Sequence, residues 1–149
     1  MMASLPTIFL FLAGFALGSV LGSFAGVLAY RLPRGEDILV KPSYCPACAR
    51  KLTSRDLIPV YSWLIFKGRC RTCHTSIGIE ALAFDLGMGL CGAILAAIFG
   101  LTLQAALLLL SATLFASLFV IMARRGRYPL WLPIMAVTLI LAANAIDFL

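Results

Sequence analysis

The hydrophobic positions of this chain fall into four long apolar stretches, separated by one long polar segment and two short turns. Each stretch approaches the ~20 residues that a helix needs to cross the hydrocarbon core of a bilayer. The pattern predicts an all-α integral membrane protein with about four transmembrane helices. The first helix lies within residues 1–30, a polar loop occupies residues 31–80, and residues 81–149 hold three further helices, at about 81–99, 103–123 and 128–146.

The composition supports a membrane protein over a soluble one. Of the 149 residues, 62% are hydrophobic and 12% are charged, whereas soluble domains carry roughly 25% charged residues. No Lys or Arg precedes the first apolar stretch, which is also longer than the apolar region of a signal peptide. We therefore expect the first helix to be an uncleaved anchor.

The positive charges predict the orientation in the membrane. Nine of the twelve Lys and Arg residues lie between Arg31 and Arg71, and the other three lie in the turn at 124–127. With four spans, both segments fall on one side of the membrane. The positive-inside rule places that side in the cytoplasm and both termini outside.

Four cysteines stand in two close pairs within the polar loop, Cys45-Pro46-Ala47-Cys48 and Cys70-Arg71-Thr72-Cys73. The 21 residues between the pairs give the spacing of a four-cysteine zinc site. A reducing cytoplasm favours metal over disulfides. We predict a small zinc-ribbon-like loop in which Cys45, Cys48, Cys70 and Cys73 bind a structural zinc ion. Thiols with a redox role, or a loop without metal, remain as alternatives.

His74 and Cys91 have simpler predicted roles. His74 follows the last cysteine and could replace a ligand, but four thiolates already complete a closed site, so we expect a solvated side chain. Cys91 lies inside the second predicted helix, where we expect a small buried apolar side chain.

The apolar stretches also contain small and acidic residues with candidate roles. Gly14, Gly18, Gly22 and Gly26 recur every four residues, which puts a groove for close helix packing on one face of the first helix. The partner is another helix of this chain, a second copy or another protein. Asp85 lies just inside the second helix and is a candidate functional acid. The alternative is a structural ion pair with Arg31 or with an arginine of the turn at 124–127.

Three stretches give the chain a family resemblance: Gly22-Ser23-Phe24 through Tyr30-Arg31-Leu32-Pro33, the first cysteine pair followed by residues 56–64 (DLIPVYSWL), and Gly68-Arg69-Cys70-Arg71-Thr72-Cys73. Together they resemble the N-terminal half of the type IV prepilin peptidases, the bifunctional leader peptidase and N-methyltransferase enzymes of pilus and type II secretion systems. The family usually has Asn at the position of Gly26 and Glu at the position of Asp85.

The resemblance implies a peptidase with two aspartates, one of them in a Gly-x-Gly-Asp motif. Residues 121–127 (IMARRGR), where the first is expected, contain no aspartate, and no Gly-x-Gly-Asp follows. Two carboxylates are needed to activate water and to protonate the leaving group. We therefore assign no catalytic residue in this chain and expect a truncated or split family member.

The resemblance implies a role at the bacterial inner membrane in processing type IV prepilins or type II secretion pseudopilins. Methylation of the new N-terminus with S-adenosylmethionine would be the retained activity. The alternative is a noncatalytic adaptor for a separate catalytic peptidase subunit. Membrane lipid is a further expected partner. Nucleic acid is not expected, because Tyr61, Trp63 and Phe66 lie in an apolar run suited to the membrane interface.

Overall fold

The computed structural model describes residues 7–40, 42–124 and 126–146, and the parts of the predictions that concern residues 1–6, Arg125 and residues 147–149 lie outside them. The described chain is mostly helical, with five α-helices: α1 (Thr7–Arg31), α2 (Tyr61–Ile65), α3 (Ile79–Phe99), α4 (Leu103–Ala123) and α5 (Trp131–Ala145). Short 3₁₀ turns at Leu32–Arg34 and Ser54–Asp56 interrupt the loop. No strand occurs in these described ranges.

Three helices, α1, α3 and α4, are long and apolar enough to cross a membrane. The predicted all-α membrane fold is therefore confirmed, and α4 has the bounds that the hydrophobic pattern predicted. The fourth apolar helix, α5, has only 15 residues. At 1.5 Å per residue it is about 22 Å long, which is shorter than a hydrocarbon core of about 30 Å.

The glycine-rich face of α1 packs on α3 within this chain. A Cβ atom added at Gly14, Gly18 or Gly22 would overlap the backbone carbonyl oxygen of a residue on α3, and Gly92 of α3 faces Gly14 in the same way. Only residues without a side chain allow two helix backbones to approach so closely. Gly26 lies beyond this contact, since its Cβ would lie 4.0 Å from the Phe84 ring.

Helix α4 packs against α1 near the loop and against α5. Ser117 of α4 is fully buried and donates a hydrogen bond to the Ala25 carbonyl oxygen of α1 at 3.2 Å. A small core next to this contact contains Ala29, Ile121 and Leu132. These contacts hold the loop-facing ends of α1 and α4 together next to the start of α5. The loop lies against those ends and against the start of α3.

Candidate metal centre and adjoining cavity

The two cysteine pairs fold into the same local turn. In the first, the Cys45 amide donates to the Arg50 carbonyl oxygen, and the Ala49 amide donates to the Cys45 carbonyl oxygen, both at 2.9 Å. In the second, the Cys70 amide donates to the Thr75 carbonyl oxygen at 2.9 Å. An isolated antiparallel bridge closes each turn, and the residue after the second cysteine has a φ of 56° in both turns. This repeated geometry aims two thiols from each turn at one point.

The four thiols come together into one cluster. The Sγ atoms of Cys45, Cys48, Cys70 and Cys73 all lie within 4.8 Å of one another, and those of Cys45 and Cys73 are 3.7 Å apart. Four sulfurs bound at about 2.3 Å to one ion lie about 3.8 Å apart at the corners of a tetrahedron. The donor set and its spacing therefore fit a single tetrahedral metal ion that is soft enough to prefer thiolates.

The surrounding backbone and thiols change the ionisation of the cluster. Hydrogen bonds from the backbone amides of Cys73 and Thr72 lower the pKa of the Cys70 thiol to about 6. At Cys48 the Arg50 backbone amide lowers the pKa, but desolvation and the neighbouring thiols outweigh it and raise the pKa to about 11. Hydrogen bonds with the side chain and backbone of Thr75 also lower the pKa of the Cys73 thiol. The full set of four thiolates needs a cation to offset its charge.

Asp56 connects the two turns by ion pairs, a role that sequence reasoning missed. Arg50, next to the first turn, donates to Asp56 Oδ2 at 3.1 Å and lies 3.1 Å from Oδ1. Arg71, within the second turn, lies 3.9 Å from Oδ1. The Thr53 amide and hydroxyl also donate to Asp56 Oδ2. The Arg50 guanidinium holds the pKa of the Asp56 carboxyl well below its usual range.

His74 and Cys91 lie outside the thiol cluster. His74 is exposed and occupies the position with positive φ at the end of the second turn. Histidine is among the residues that tolerate this conformation. Cys91 is half-buried in α3 rather than fully buried.

A cavity of about 380 Å³ lies between the loop and the ends of α1, α3 and α4. Its size falls within the usual range for small-molecule and cofactor sites. Its walls combine glycines of α1, aromatic side chains and charged groups, including Gly22, Gly26, Trp63, Phe84, Asp85 and Arg124. The cysteine loop is therefore one wall of a cavity whose other walls are apolar helices.

Asp85 is buried in the wall of this cavity, with 7% of its surface exposed. Its Oδ2 atom accepts a hydrogen bond from the Val60 backbone amide at 2.9 Å. Two of the arginines considered as partners from the sequence make other contacts, and Arg125 of the same turn lies outside the described residues. Arg31 donates to the Asp37 and Pro42 carbonyl oxygens, and Arg124 pairs with Glu80. Within the described residues Asp85 forms no ion pair.

The sequence from the middle of α1 to the end of α3 defines the class of protein. Residues 16–99 match the family model of the bacterial peptidase A24 N-terminal domain. Because this match covers more than half of the chain, the chain belongs to that family. The resemblance to the prepilin peptidases inferred from the motifs is thereby confirmed.

Individual relatives are named as prepilin peptidases. The chain is 36% identical over 109 residues to a prepilin leader peptidase/N-methyltransferase of Bacillus subtilis (strain 168), covering 73% of this chain and 42% of that protein. It is 34% identical over 135 residues to the protein of that name from Dickeya chrysanthemi, covering 75% and 46%. The chain thus spans less than half the length of these relatives. No solved structure matches it.

Proposed function

We propose that this chain takes part in the processing of type IV prepilins or type II secretion pseudopilins by holding the N-terminal segment of the substrate in the 380 Å³ cavity. The observation that carries the proposal is the composition of this cavity. Helices that pack within the membrane form one side, and the charged cysteine loop forms the other. A substrate with an apolar helix and a polar leader would contact both sides.

The metal at the thiol cluster is proposed to be zinc with a structural role. Zinc prefers four thiolates in tetrahedral geometry, and four protein ligands leave no open position for water. The loop contains few buried apolar side chains besides its cysteines, so metal binding would supply much of its folding free energy. The zinc would hold the two turns together and thereby keep the loop in place over the cavity.

Methyl transfer is the chemistry proposed for this domain. The relatives' name includes an N-methyltransferase activity, and S-adenosylmethionine supplies an electrophilic methyl group when it is bound. Its positive charge suits a cavity lined by the aromatic rings of Trp63 and Phe84. The residues of this chain would bind the substrate amine and exclude water.

Peptide cleavage is proposed to come from a separate catalytic peptidase subunit. The aspartates of these 149 residues are Asp37, Asp56, Asp85 and Asp147. Asp56 is held by two arginines in the metal loop, and Asp85 lies in the cavity wall without a second aspartate beside it. Neither described arrangement is an aspartate pair that could share the acid and base roles.

Intact-mass analysis of a co-expressed prepilin tests the proposal. With this chain alone, we expect the leader to remain attached. With an active prepilin peptidase that lacks its own methyltransferase activity, we expect leader loss, and the mass of one methyl group should appear only when this chain is also present. Leader loss with this chain alone would contradict the proposal. If the active peptidase removes the leader and no methyl group appears, with or without this chain, the adaptor function would replace methyl transfer.

A further inference from the structure

We propose that Asp85 binds a primary ammonium group, the free α-amine of the peptide segment that enters the cavity. The inference rests on the proposed function, because it names the part of the substrate that the cavity recognises. It assigns Asp85 a positioning role in substrate binding rather than the structural ion pair considered from the sequence.

The hydrogen bonding of Asp85 leaves one carboxylate oxygen for a ligand. The Val60 amide donates to Oδ2 at 2.9 Å, whereas Oδ1 accepts no hydrogen bond from the described residues. The side chain is more than nine-tenths buried and lines the cavity. A buried carboxylate without a charged partner is costly. Such a group is better explained by a cationic ligand than by stabilisation of the fold.

Most of the other charged groups around the cavity are paired with one another. Arg50 and Arg71 both approach Asp56, and Arg124 pairs with Glu80. Arg69, the remaining arginine of the lining, has an exposed side chain and belongs to the loop rather than to the helical wall. Asp85 is therefore the carboxylate of the lining whose charge is not offset by an ion pair among the described residues.

The backbone that holds Asp85 is strained. Val60 has a φ of 60° and a ψ of −54°, a conformation that is rare for a β-branched residue. It forms the centre of a tight turn in which the Tyr61 amide donates to the Pro59 carbonyl oxygen. Strain of this kind persists where the surrounding structure requires it and is concentrated at functional sites. Here the turn directs the Val60 amide at Asp85 and fixes the orientation of the carboxylate.

Two further polar atoms of the lining also lack a hydrogen-bond partner among the described residues. The Trp63 indole Nε1 is buried and has no hydrogen-bond acceptor among the described residues. The indole edge packs against Gly68, and Arg50 Nε is likewise buried without an acceptor among the described residues. The ammonium assignment therefore rests on Asp85 Oδ1, which lies in the cavity wall.

Binding of a pilin-derived peptide to the purified full chain tests the assignment. The probe is a peptide of about 20 residues, the length of one membrane span, taken from the start of a mature pilin of the same bacterium and labelled at its C-terminus. It is prepared with a free and with an acetylated α-amine. We expect the free amine to bind about 10-fold more tightly, since hydrogen bonds between charged groups have this magnitude.

Variants of Asp85 decide whether this residue is responsible. Asp85→Asn should remove the preference for the free amine, and Asp85→Glu should retain most of it. Asp37→Asn is the matched control, because it makes the same change outside the cavity and keeps an oxygen for the Leu39 and Val40 amides. Metal content and size-exclusion profile establish that each variant is folded.

Four outcomes would overturn the inference. A wild-type chain that binds both peptide forms equally recognises no ammonium, and an Asp85→Asn variant with the wild-type preference binds the ammonium elsewhere. S-adenosylmethionine also carries a primary ammonium, so its binding is measured in parallel. If Asp85→Asn loses binding of S-adenosylmethionine alone, the peptide assignment is excluded. Binding of neither peptide form to wild type would overturn the proposed function itself, whereas the first three outcomes would leave that function standing.

Discussion

Asp56 illustrates how one side chain organises the metal loop. Its carboxylate contacts an arginine from each cysteine turn and also caps the short 3₁₀ turn through Thr53. Arg50 keeps the pKa of the Asp56 carboxyl below its usual range. The contribution of the Asp56 contacts to stability is therefore complete above the ordinary aspartate pKa of about 3.9 and is lost only as the pH falls below that value. The network is therefore intact at neutral pH.

Replacement of Asp56 should weaken metal retention without removing a ligand. We expect Asp56→Asn to release the metal to a competing chelator about 10-fold faster, because the change removes the charge-assisted contacts that join the two turns. Glu80→Gln is the matched control, since the pair between Glu80 and Arg124 is exposed and exposed pairs contribute little. Equal release rates in the two variants would contradict a role of Asp56 in joining the turns.

Replacement of the ligands should remove the metal. We predict that the variant with both Cys45→Ser and Cys48→Ser contains less than about a tenth of the wild-type zinc, because two thiolates cannot hold a structural zinc ion. Elemental analysis of the purified protein gives the zinc content. Cys91→Ser should retain full zinc, since Cys91 lies outside the cluster. An unchanged zinc content in the double variant would refute the metal site.

The packing of α1 on α3 is the main contact between elements. At Gly18, a methyl group would meet the backbone carbonyl of Met88, which cannot move without shifting the helix. Gly87 of α3, in contrast, has nothing within 4 Å of the Cβ position. The two glycines therefore provide a matched pair of sites, one at the helix contact and one away from it.

Alanine at these two sites should have opposite effects on stability. We expect Gly18→Ala to destabilise the protein by about 1–3 kcal/mol through overpacking. Gly87→Ala should be neutral or stabilising by up to about 1 kcal/mol, because alanine favours the helix. Thermal unfolding in one detergent compares the two variants. A Gly18→Ala midpoint equal to wild type would show that the helices do not pack through this face.

Local patterns were predictable from the sequence, whereas contacts between distant segments were not. Apolar length predicted α1, α3 and α4, and the cysteine spacing predicted the cluster, because both depend on short stretches of chain. The four-residue glycine repeat predicted the packing face but not that Gly26 lies beyond the close contact, which depends on how the helices cross. The Val60 contact of Asp85 depends on a strained turn 25 residues away, and no local pattern indicates it.

The positive charges of the whole molecule are distributed unevenly, because the basic residues are concentrated in the loop and in the turn after α4. These two segments lie at the same end of the helices, because Glu80 at the start of α3 pairs with Arg124 at the end of α4. The positive-inside rule predicts that this end faces the cytoplasm. The substrate leader would then reach the cavity from the cytoplasmic side.

Reporter fusions test this orientation. We expect alkaline phosphatase fused after Ser54 to be inactive and green fluorescent protein at the same site to fluoresce, because the predicted topology places the loop in the cytoplasm. Fusions after Leu101, in the turn between α3 and α4, should give the opposite result. Phosphatase activity at Ser54 would reverse the predicted topology.

Site-specific photo-crosslinking tests most directly whether the cavity holds the prepilin. In one variant p-benzoylphenylalanine replaces Phe84 in the cavity wall, and in the control it replaces Phe119, which is 73% exposed on α4. Each variant is irradiated in membranes that contain a tagged prepilin. We expect a crosslink to the prepilin N-terminal segment from position 84 and none from position 119. Crosslinking from position 119 alone, or from neither position, would contradict the proposed function.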